Sequence, residues 1–126
     1  MKFQILTNNP RVRERLGNIY DIQYKDISYK EVLLEVRSKV QSGYQLLSHP
    51  LSGSVKPNET PYKSVMISGT AQPSVDTESE IIIENCIMAC EKFPDMHRYC
   101  TPEILEDFQL IDYNLIDSAI SSATTV

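Results

Sequence analysis

Short β-prone runs alternate with well-marked helix starts along this chain, and that alternation limits the folds open to it more than any other feature. Residues 2–7, KFQILT, read as a strand, after which Asn9 in the N-cap position and Pro10 at the first helical position open a short helix that Gly17 ends. In IYDIQY, 19–24, Tyr20, Ile22 and Tyr24 fall on one face and Asp21 and Gln23 on the other, the two-residue period of a half-exposed strand, expected at a sheet edge. Ser28 and Glu31 form a capping box, and Val32, Leu33, Val36 and Val40 repeat at helical spacing until Gly43 supplies a left-handed stop. YQLLS, 44–48, reads as a third strand, and SVMIS, 64–68, as a fourth whose apolar run suits a buried position. Thr77 with Glu80 marks a second capping box, opening a helix to about Phe93 that Pro94 stops. Thr101 and Pro102 start the last helix, with Leu105, Phe108, Ile111, Leu115 and Ile116 as its apolar positions.

This order predicts the α/β class, as a single three-layer domain over residues 1–126 with a mostly parallel sheet of about four strands flanked by helices, and a frayed tail at about 121–126. A chain of 126 residues fits one domain of ordinary size, and 41% hydrophobic content is enough for a real core.

Composition also removes several function classes. A net charge of −5 argues against nucleic acid, because neutralising phosphates takes a dense Lys/Arg patch. Arg11, Arg13 and Arg15 alternate and cannot share one helical face, so they read as a solvated surface. No stretch approaches the ~20 apolar residues of a membrane span, and the first nine residues lack the pattern of a signal peptide. Three cysteines do not make a secreted disulfide framework, so the expected location is the cytoplasm.

Open α/β sheets bind ligands beyond the carboxyl ends of their strands. If the first and third strands are neighbours, that rule sets Thr7, Asn8 and Asn9 opposite the loop SHPLSGSVKPNETPYKS, 48–64. Ordered loops of about 15 residues without regular structure are uncommon unless they bind something. The candidate ligand-binding residues are therefore Thr7, Asn8, Asn9, Ser48, His49, Ser52, Gly53, Ser54, Lys56 and Asn58. A helix N-terminus at Asn9 and the lysines at 56 and 63 favour a small anion, a phosphate or a carboxylate. Tyr62 stands where it could cover such a ligand or pack over the sheet edge. SGS lacks both the P-loop pattern and the dinucleotide fingerprint, so the stretch locates a site without naming a cofactor, and none is expected. Cys86 and Cys90 fall on the apolar stripe of their helix, where buried thiols are the reading, and with His97 and Cys100 they match no common zinc spacing; no metal is expected. No residues form a credible catalytic constellation.

Three stretches, ILTNNPRVRERL, LLSHPLSGSVKPNETPYKSVMIS and EDFQLIDYNLI, together resemble the GrdX family, small proteins encoded beside glycine reductase in amino-acid-fermenting anaerobic bacteria. The likeness spans nearly the whole chain, and the central block is its most specific part. It implies an accessory or regulatory protein of the glycine, sarcosine or betaine reductase system, in an anaerobic bacterial cytoplasm, that binds a glycine reductase component. The reduction in those systems uses selenocysteine and cysteine pairs on other subunits, and nothing in this chain resembles such a pair. Beside it stand a small-molecule binder or enzyme working in the crevice between residues 7–9 and 48–58, and a homo-oligomer joined through an exposed sheet edge.

Overall fold

The computed structural model describes residues 2–51 and 56–124. Three strands and four α-helices follow one another as β1 (Phe3–Thr7), α1 (Pro10–Leu16), β2 (Asp21–Tyr24), α2 (Tyr29–Gln41), β3 (Ser64–Ser68), α3 (Thr77–Glu91) and α4 (Pro102–Thr124), with a 3₁₀ turn at His97–Tyr99 before α4. The α/β class stands, but the sheet is not mostly parallel and four-stranded. Among the described residues it has three strands in the order β2-β1-β3, with β1 and β2 parallel and β1 and β3 antiparallel.

Hydroxyl side chains account for the missing strand. Residues 44–48 run along the outer edge of β3 but form a single bridge, Leu46 to Ile67. Backbone bonds from the Leu47 and Ser48 N–H groups to the Met66 carbonyl and from the Ser68 N–H to the Gln45 carbonyl remain, but serine hydroxyls take the other donors. The Gln45 N–H donates to Ser68 Oγ, the Met66 N–H donates to Ser48 Oγ, and the Leu46 N–H turns away to Ser79 Oγ in the first turn of α3. Serine competes in this way for backbone groups that a regular ladder would use. β3 thus lies between β1 and residues 44–48, and the first strand and the YQLLS segment are not neighbours.

Alternation along the strands divides the interior in two. Leu6, Val65 and Ile67 pack on α2 through Val32, Leu33, Val36 and Val40, and on α3 through Ile83, Cys86, Ile87 and Cys90. On the opposite face Ile5 and Met66 meet Val12 and Leu16 of α1 and Ile116 and Ile120 of α4. The helices therefore cover both faces in three layers.

Local chemistry explains most helix ends. Asn9 Oδ1 accepts from the Arg11 N–H at the start of α1, and Ser28 and Glu31 close a reciprocal capping box on α2. Gly43 follows α2 with a φ of 106°, and a Cβ there would strike the Gln72 carbonyl. α3 is capped one residue earlier than its sequence suggests. Asp76, not Thr77, is the N-cap, because its carboxylate accepts from both the backbone N–H and the hydroxyl of Ser79. α4 continues through residues 121–124, where fraying was expected. No helix among the described residues is long and apolar enough to cross a membrane.

Candidate functional site

At the carboxyl end of β1 the turn Thr7-Asn8-Asn9 is buried, and every polar side chain in it is engaged. Asn8 Nδ2 donates to the carbonyls of Ile27 and Pro61, and Asn8 Oδ1 accepts from the Lys63 N–H, so one amide ties together the segments leaving β2 and entering β3. Asn9 donates through Nδ2 to the Gln109 carbonyl and to Asp112 Oδ2, both on α4. Thr7 Oγ1 accepts from the Asn9 N–H and lies 2.7 Å from Ser64 Oγ.

Asp112 is the centre of this network. Its carboxylate is buried and accepts from the Ser64 N–H at 3.0 Å, from Ser64 Oγ at 2.7 Å and from Asn9 Nδ2 at 2.9 Å. A buried carboxylate is tolerable only when donors replace the water it has lost. The anion gathered by the TNN turn is thus the chain's own side chain. Lys63, buried beside it, feels the desolvation that disfavours an ammonium, and its pKa is pulled below the ordinary lysine value, with the Asp112 carboxylate acting in the opposite sense. Burial likewise pushes the Tyr29 phenol upward.

Tyr29, Tyr62, Lys63 and Asp112 line a small hollow with Phe108 and Leu115, and exposed Ile111 of α4 stands on its rim. Tyr29 and Tyr62 also form a wall of an open crevice of about 290 Å³ that continues past Asn8 and Pro61 to Asp26, Glu31, Asp95 and His97. Tyr29 and Tyr62 thus border both the hollow that holds Lys63 and Asp112 and the neighbouring recess. Gln109 Nε2 donates to the Tyr62 hydroxyl at 2.9 Å and holds that ring from α4. Among the described residues the recess has three carboxylates and a histidine on its walls and no lysine or arginine.

The model of the family described as GrdX-like protein matches residues 4–121. The chain belongs to the GrdX-like family. No curated protein and no solved structure matches it.

In this GrdX-like chain the candidate residues read from sequence are dispersed. Thr7, Asn8 and Asn9 stand at the carboxyl end of β1, whereas the loop expected opposite them departs from the far side of β3 and meets Asn8 only at its end, through Pro61 and Lys63. Ser48 is engaged with Met66, and His49 Nδ1 accepts from the Leu51 N–H in a local turn. The Lys56 N–H donates to Glu59. Asn58, at a φ of 64°, sends Nδ2 to the carbonyls of Cys90 and Phe93 and so closes the end of α3. Ser52, Gly53 and Ser54 lie outside the described residues.

Sequence reasoning passed over Asp112, Ser64 and Tyr29. Asp112 had a readable signal: it follows Phe108 by four residues and precedes Ile116 by four, a charge inside an apolar stripe. Cys86 and Cys90 are buried, and burial pushes the Cys86 thiol up to about 11 and the Cys90 thiol upward too. Such thiols are poor nucleophiles at neutral pH.

Proposed function

We propose that this chain is an accessory or regulatory protein of the glycine, sarcosine and betaine reductase systems, working in the cytoplasm of an amino-acid-fermenting anaerobe, and that it acts by binding rather than by performing the reduction. Membership of the GrdX-like family supports the association with glycine reductase systems. Burial of Cys86 and Cys90, with their pKa raised, supports the division of labour, since it leaves Cys100 without a second accessible cysteine to make a reductive dithiol pair.

The observation that carries the binding role is the recess beside Asn8, Tyr29 and Tyr62, an open hollow at the strand ends where α/β sheets take ligands. Its carboxylates and aromatic walls favour a positively charged group, an ammonium or methylated ammonium on a small molecule or a basic side chain of a reductase component. One observation favours the second reading, a phosphate or carboxylate ligand: Lys63 lines the adjoining hollow together with Tyr29 and Tyr62.

Thermal unfolding against two panels separates these readings, because a ligand that binds only the folded chain raises Tm by mass action. Methylated ammonium compounds at millimolar concentration should raise Tm, and Tyr62→Ala should remove the effect. A rise with phosphate or acetate alone, lost in Lys63→Met, would favour the anion instead. Silence from both panels, together with failure to co-purify any reductase component from a native extract, would sink the proposal.

A further inference from the structure

The two edges of the sheet are treated differently. Along β3 the outward N–H groups all have partners: Asp112 takes the Ser64 N–H, Ser48 Oγ takes the Met66 N–H and Gln45 takes the Ser68 N–H, while the Leu47 and Ser48 N–H groups meet the Met66 carbonyl. The β2 edge has no such cover. The Lys25 N–H donates to the Thr7 carbonyl, and Tyr24 is the residue paired with Thr7, which sets the phase of the parallel ladder. Asp21, Gln23 and Lys25 turn their backbone groups toward β1. Ile22 and Tyr24 turn theirs outward, where no described segment meets them.

We infer that this edge pairs with the β2 of a second copy, antiparallel, with Gln23 on the two-fold axis. That register is the one in which outward-facing Ile22 lies opposite outward-facing Tyr24 of the other copy, so both exchange N–H and C=O bonds. The side chains agree with it. On the α1 face the pair is Ile22 against Tyr24, a β-branched residue beside an aromatic ring that already carries Arg13 at 4.2 Å. On the other face Asp21, which accepts from Gln23 Nε2, lies opposite Lys25, whose ammonium already meets Glu35 of α2 at 3.1 Å and would bridge the two carboxylates, and the two-fold repeats that arrangement. α2 packs chiefly over β1 and β3, so it leaves the edge open, and the result is one continuous sheet with three strands from each copy.

Charge reversal of one partner tests the register. In Asp21→Lys, and separately in Lys25→Asp, both opposed pairs become like-charged, so each variant alone should dimerise roughly tenfold more weakly than the unaltered chain. An equimolar mixture of the two restores opposite charges at both positions and should form a heterodimer with affinity within a few-fold of the original. Sedimentation equilibrium gives the masses, and far-UV circular dichroism checks that each variant is folded. A monomer for the unaltered chain at about 100 μM, variants that dimerise as well as it does, or a mixture that fails to recover association would each overturn the inference.

Discussion

Replacing Asp112 by alanine would strip the carboxyl end of β1 of the group that binds it to α4. Three donors lose their acceptor: the Ser64 N–H, Ser64 Oγ and Asn9 Nδ2. They are not equally stranded. Asn9 Nδ2 retains the Gln109 carbonyl, and the Ser64 hydroxyl can turn to Thr7 Oγ1, but the Ser64 N–H is left with nothing. With about 1–3 kcal/mol for each buried donor left unpaired, and partial rescue of two, the expected loss is about 3 kcal/mol. At roughly 2 cal/mol/K per residue of unfolding entropy, that is a fall in Tm of about 10 °C for a chain of this size. Urea unfolding followed by circular dichroism measures the loss. Ser64→Ala gives the internal check: the double variant should lose about 1 kcal/mol less than the sum of the two singles, because the hydroxyl stranded by one change is removed by the other. A loss below about 1 kcal/mol for Asp112→Ala, or strict additivity with Ser64→Ala, would refute the placing of Asp112 at the centre of the network.

Lys63→Met should leave stability at neutral pH unchanged or higher, since a buried cation gives way to an apolar side chain of similar length. Because the Lys63 pKa is lowered in the folded chain, the unfolded chain holds more protons between that value and 10.5, and stability rises with pH across this window. The unaltered chain should therefore gain on the variant as pH climbs toward 10.5, and a variant that keeps or widens its lead instead refutes the burial of the amine. Thiol titration with an aromatic disulfide should label Cys100 quickly in the native protein and Cys86 and Cys90 only at the rate of unfolding. Prompt labelling of all three would contradict the buried positions of the helix thiols.

Much of the local structure was legible because its causes are local. Asn9 and Pro10 start α1, Ser28 and Glu31 start α2, and Gly43 ends it, each by hydrogen bonding or steric freedom within a few residues. The edge position of IYDIQY was readable for the same reason, in its alternating pattern. The family resemblance rested on quoted stretches and is matched over residues 4–121. The recess and its chemistry were much less legible, because they depend on which segments meet. Tyr29, Pro61, Tyr62 and Asp95 come from three separate parts of the chain.

The sequence by itself determined the four helices and three of the four strands read from it, because period and capping are properties of short windows; YQLLS, read as a strand, forms only a single bridge. Only the tertiary structure decided strand order and direction. Nothing local distinguishes SVMIS paired antiparallel with β1, as it is here, from the same residues in a parallel ladder, since Val65 and Ile67 fall on one face and Met66 on the other in either direction. That choice placed Ser64 next to Thr7 and under Asp112, separated by 48 residues of chain, and left β2 as the open edge. A buried carboxylate finds its donors only after the strands are in place.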